Sequence, residues 1–108
     1  MRVLIVAECV PADALGAIAG GDVTSCDDSY AGALASIRAR LTDVVIVPES
    51  IGQVSSVSCL DVAQVARAHG VACVIVTEVW DDGAYGAASV GPSGDVCGAV
   101  MRAVRMRL

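Results

Sequence analysis

Three runs of apolar, largely β-branched residues constrain this chain more than anything else in it: residues 2–7 (RVLIVA), 43–48 (DVVIVP) and 71–77 (VACVIVT). Val and Ile are stiff about their first side-chain torsion and pack well on a pleated surface. A strand with one wet face alternates apolar with polar residues. These runs are nearly continuous, so they read as strands covered on both faces, the kind found in parallel sheets with helices above and below. Residues 22–27 (DVTSCD) and 86–90 (GAASV) are shorter and more polar and suit edge strands.

The intervening segments carry helical signals. Pro11 fits a first helical position, with Leu15 and Ile18 following on one face. Asp27, Asp28 and Ser29 offer caps for a second helix, whose apolar stripe is Tyr30, Leu34, Ile37 and Leu41. Ser58 with Asp61 resembles a capping box, Val62, Val65 and Ala66 supply a buried face, and Gly70 stops the helix. Ser93 and Asp95 open a last helix. Val96, Val100, Val104 and Leu108 run down one side of it, with Arg102, Arg105 and Arg107 outside. The expected architecture is one α/β domain over residues 1–108, a doubly wound parallel sheet of five strands in the order 2-1-3-4-5. Between Thr77 and the last strand, a sequence with two glycines and an Asp-Asp-Gly turn predicts a loop or single turn across 79–87 instead of a fourth helix.

Composition removes whole classes of function. The net charge is −5, which argues against binding a nucleic-acid backbone. All seven basic residues are Arg, so Schiff-base chemistry and the P-loop lysine are absent. With one Trp, two Tyr and no Phe, little is available for stacking bases. No Gly-rich phosphate turn follows any strand, so no nucleotide or flavin cofactor is expected. Five cysteines (Cys9, Cys26, Cys59, Cys73 and Cys97) with no CxxC and a single His suggest free thiols in a reducing compartment and no metal site. Cys9, at a strand end, is the thiol expected to be most exposed. No apolar run approaches ~18 residues, and the opening apolar stretch is too short for a signal peptide. A cytoplasmic protein is expected.

In such sheets ligands bind beyond the carboxyl ends of the strands. The residues delivered there are Glu8 and Cys9, Glu49 and Ser50, Thr77 and Glu78, and Gly91 with Pro92. The segments RVLIVAE, LTDVVIVPES, VACVIVTE and SVGPSGDVCGAVMRAV together resemble the receiver domain of bacterial two-component response regulators, which has a flavodoxin-like fold, over essentially the whole chain. That resemblance places Ala7 and Glu8 where a receiver carries its two metal-binding acids. It places Pro48 at the phosphoacceptor Asp, Thr77 at the switch Thr or Ser, and Gly91 at the conserved Lys. Only Thr77 and, in part, Glu8 match. Loss of acceptor, cation and one metal ligand together should abolish phosphoryl chemistry, which depends on positioned charge and metal.

The resemblance therefore implies a non-enzymatic pseudo-receiver without cofactor. It would act by binding a protein partner or a second copy of itself, as an adaptor, dimerisation or localisation unit, and as the N-terminal domain of a larger regulator or localisation ATPase in some settings. Trp80, Tyr85, Val90, Val100, Arg102 and Val104 are the expected partner surface, with a symmetric dimer as the expected self-association. Two alternatives remain open. One is a weakly phosphorylatable regulator using Glu49. The other is a phosphotransfer enzyme using Cys9, although CVPADAL lacks a Gly-rich cradle and has Leu15 where a small phosphatase carries Arg. Glu8 and Glu49 also read as solvated strand ends, Thr77 as a packed strand end, and His69 as a residue favoured by the helix dipole.

Overall fold

The computed structural model describes residues 2–15, 23–26, 30–49, 57–78, 86–91 and 94–106. In chain order these form strand β1 (Val3–Val6), a 3-10 turn (Ala12–Leu15), β2 (Val23–Cys26), helix α1 (Tyr30–Arg38), β3 (Val44–Pro48), α2 (Cys59–Ala68), β4 (Ala72–Val76), β5 (Ala88–Val90) and α3 (Val96–Met106). The chain is an α/β protein whose strands pair in parallel throughout, with neighbours in the order β2-β1-β3-β4-β5. In register, Ile46 of β3 lies between Ile5 of β1 and Val74 of β4.

The near-continuous apolar runs are explained by two cores, one on each face. Val3, Ile5, Val44, Ile46, Val74 and Val76 face α3 and the 3-10 turn, where Leu15, Val96, Ala99, Val100 and Ala103 meet them. The alternate residues Leu4, Val6, Val45, Val47, Cys73 and Ile75 face α1 and α2, whose contributions include Tyr30, Leu34, Ile37, Val62 and Ala66. Successive side chains of a strand point to opposite faces, so a strand serving two cores must be apolar at every position.

Helix α2 has the predicted ends. Ser58 caps it in an extended conformation. The Asp61 N–H donates to Ser58 Oγ at 3.4 Å, and the Ser58 N–H donates to Asp61 Oδ2 at 2.9 Å. Gly70, at φ +70°, closes its other end, with N–H bonds from Gly70 to the Arg67 carbonyl and from Val71 to the Ala66 carbonyl. Val62 and Ala66 are buried and Val65 is half-buried against the core.

Three expectations are corrected. Leu41 does not continue the α1 stripe: the helix ends at Arg38, the chain turns through a left-handed Arg40, and Leu41 is 63% exposed. Within the described part of the segment after Pro11 there is one 3-10 turn, with Leu15 buried. Val90 and Val100 are not the exposed apolar edge expected. They are 8% and 0% exposed, because β5 carries α3 directly on its face and the two valines fill that contact. Val104 is half-buried against the same core, while Arg102 is exposed and donates from Nη2 to the Ser89 carbonyl at 3.0 Å.

The expected helix caps at Asp27, Asp28 and Ser29 lie outside the described residues, as do Ile18, Ser50, Pro92, Ser93, Arg107, Leu108 and most of the 79–87 interval with Trp80 and Tyr85. Among the described residues no helix is long and apolar enough to cross a membrane.

Candidate functional site

All strands of a parallel sheet end at one edge, and the helices that follow them begin there. The carboxyl edge here gathers the ends of β1, β3, β4 and β5 with the first residues of α1 and α2. After β1 the chain reverses through Ala7 and Glu8 at φ 56° and 48°, and the Cys9 N–H closes the turn on the Val6 carbonyl at 3.3 Å. Two successive left-handed residues without glycine are costly and leave Glu8 exposed at the rim.

After β3, Pro48 ends the strand half-buried and Glu49 follows it, exposed. The Glu49 N–H still donates to the Val76 carbonyl at 3.1 Å, which holds Glu49 against β4. One residue beyond β4, Thr77 is 5% exposed, its N–H donates to the Val90 carbonyl at 2.8 Å, and its Oγ1 donates to Glu49 Oε2 at 2.9 Å. Thr77 is therefore not an idle strand end: it is fixed by the carboxylate that follows Pro48. Gly91 lies beside Glu78, and its carbonyl accepts the Gly94 N–H at 2.9 Å.

Tyr30 was legible in the sequence only as a stripe residue of α1. Its hydroxyl donates to the Pro48 carbonyl at 2.7 Å, so the first turn of α1 is tied to the end of β3. The signal that could have found it is positional, since a polar tip on the first residue of a crossover helix falls at the ligand edge of the sheet. Burial pushes the phenol up to about 12, with Cys59, Cys9 and Glu49 nearby adding to the shift. Cys59, the first residue of α2, is buried, and desolvation followed by the Glu49 charge raises its thiol.

Cys9 is half-buried, as Cys97 is, while Cys59 and Cys73 are buried, and it lies 3.7 Å from the Ile46 carbonyl. Burial pushes its thiol up to about 11 against the opposing pull of the Cys9 and Val10 backbone. The thiolate is the reactive form, so at neutral pH this environment suppresses nucleophilic chemistry instead of promoting it. Cys73, in the central strand β4, is also a free, buried thiol. Among the described residues no three His, Cys, Asp or Glu side chains converge as a metal site. The edge thus assembles hydrogen bonds between strand ends, with the exposed carboxylates of Glu8, Glu49 and Glu78 and with neutral thiols and phenol around it.

No protein-family model, curated protein or solved structure matches this chain.

Proposed function

We propose that the chain is a receiver-like signalling module of the flavodoxin-like five-stranded order, whose phosphoryl switch is replaced by a fixed hydrogen bond and which acts by binding a protein partner or a second copy of itself. The observation that carries this reading is the 2.9 Å bond from Thr77 Oγ1 to Glu49 Oε2 beside Pro48. A switch hydroxyl can shift a population only if it has a differential interaction in two states. Here its proton is already engaged by a carboxylate of the same chain, and the neighbouring strand end offers Pro48 in place of an acceptor. With Val90 and Val100 buried, the partner surface in this reading is the outer face of α3, where Met101, Arg102, Arg105 and Met106 are exposed.

The test is incubation of the full chain with acetyl phosphate and Mg²⁺, read by intact mass and by amide chemical shifts at Glu8, Glu49 and Thr77. No adduct and no saturable shift is the expected result. The position of Glu49, exposed and bonded to Thr77, favours one rival, a weak acyl-phosphate acceptor. An adduct of one phosphoryl group that disappears in Glu49→Gln would establish that rival and overturn the inert module. The Cys9 enzyme finds no support in a half-buried thiol raised to about 11.

A further inference from the structure

Two helix-to-strand turns lie side by side at the opposite, amino edge of the sheet, because α1 leads into β3, α2 leads into β4, and β3 pairs with β4. Both close with the same pair of hydrogen bonds. After α2, Gly70 N–H meets the Arg67 carbonyl at 3.3 Å and Val71 N–H meets the Ala66 carbonyl at 2.9 Å. After α1, Arg40 N–H meets the Ile37 carbonyl at 3.1 Å and Leu41 N–H meets the Ser36 carbonyl at 3.0 Å. This geometry wants glycine at the left-handed position and an apolar residue packed back on the helix at the next. The α2 turn complies: Gly70 takes φ +70° and Val71 is buried. The α1 turn does the opposite, with Arg40 forced to φ +58° and Leu41 left 63% exposed. Neither choice serves the stability of the turn, and a strained residue retained without structural benefit is a starting point for a functional hypothesis.

The two ill-suited residues line two adjoining cavities. Arg40 lines a polar one of about 200 Å³ with His69 and Asp43. Leu41 lines one of about 170 Å³ at the start of β1, with Val3, Leu4 and Ser36. Arg2 and Thr42 line both. Arg2 is committed to Asp43, its N–H to Oδ2 at 2.8 Å and its guanidinium at 3.2 and 3.3 Å, which makes that pair neutral. Thr42 donates its hydroxyl proton to the Val44 carbonyl at 2.8 Å. The Arg40 guanidinium, by contrast, has no hydrogen-bond or ion-pair partner among the described residues. His69 donates its Nδ1–H to the Val65 carbonyl at 2.9 Å, which leaves Nε2 as an acceptor without a partner among the described residues. Among the described residues, this cleft presents a guanidinium with no ion-pair partner beside an imidazole edge.

We propose that the cleft binds a small aliphatic carboxylate, its carboxylate on the Arg40 guanidinium and its alkyl group against the exposed Leu41 in the adjoining cavity. The planar guanidinium fork matches a carboxylate. A single negative charge suits the cleft better than a dianion. Asp43 stands in the wall, and the carbonyl ends of α1 and α2, the negative poles of their dipoles, face this edge. The inference goes beyond the interaction-module reading and does not depend on it.

The test is titration of the isotope-labelled full chain with sodium 3-methylbutanoate, with 3-methylbutanamide and sodium acetate as parallel arms, read by amide shifts. Saturable shifts confined to residues 40–43 and 69–71 are expected, with a dissociation constant of about 1 mM for a ligand of so few atoms. The amide should bind at least about tenfold more weakly, and acetate several-fold more weakly. Arg40→Gly should lose at least about tenfold in affinity while its urea midpoint rises, because glycine relieves the left-handed strain. Leu41→Ser should weaken 3-methylbutanoate without changing acetate. Absence of saturable shifts at tens of millimolar, equal binding of acid and amide, equal binding of acetate and 3-methylbutanoate, or unchanged affinity in Arg40→Gly would each overturn the proposal.

Discussion

Replacing Tyr30 by Phe isolates the bond that ties α1 to the end of β3. The ring is 4% exposed and packed in the core, and Phe keeps that packing. What is lost is one neutral hydrogen bond of 2.7 Å to the Pro48 carbonyl. Such a bond contributes about 1 kcal/mol net, and stranding a fully buried partner costs about 1–3 kcal/mol. Pro48 is only half-buried, so water can partly replace the phenol, and a loss of about 1–1.5 kcal/mol is expected. With a urea dependence of about 1–1.5 kcal/mol per molar for a chain of this size, the midpoint should fall by about 1 M with no change of slope.

A second signature is the pH dependence of that difference. The folded phenol is raised to about 12, above the ~10 of an unfolded tyrosine, because burial disfavours the ionised form. The stability it contributes is therefore full below about pH 10 and lost as the pH climbs through about 12. The gap between wild type and Tyr30→Phe should narrow over that window. A difference under about 0.3 kcal/mol at neutral pH, or a gap that widens toward pH 12, would refute the bond and the coupling of α1 to β3 with it.

Other outcomes follow from the same geometry. The Arg2 guanidinium and N–H hold the Asp43 carboxyl below the usual carboxylate range, so its contribution is present above the unfolded value near 4 and vanishes as the pH falls through the folded one; Asp43→Asn should flatten the acid limb of a urea-midpoint profile. Gly70→Ala should destabilise by about 1 kcal/mol, since the added Cβ meets nothing within 4 Å and only the left-handed backbone is strained. Ala7→Gly should stabilise by about 0.5–1 kcal/mol in the same denaturation assay, because relief of its φ of 56° outweighs the added chain entropy. Alkylation of native protein at neutral pH should spare Cys59 and Cys73 and modify Cys9 slowly, and labelling of Cys73 before unfolding would contradict its place in β4.

The central strands and the ends of α2 are encoded locally. A run such as DVVIVP has no polar face to turn to water, so it can only sit between two layers, and Ser58, Asp61 and Gly70 act within a few residues of one another. The tertiary structure alone decided the contacts that join residues far apart in the chain. Thr77 reaches Glu49 across 28 positions and Tyr30 reaches Pro48 across 18, and no local periodicity encodes either pairing. Val90 and Val100 read as a spare apolar surface until α3 settles on β5 and buries them. Leu41 read as core until a left-handed Arg40 turned it outward. In each case the deciding quantity was which surface a neighbouring element covers, and burial of that kind is a property of the packed layers, not of the spacing along one segment.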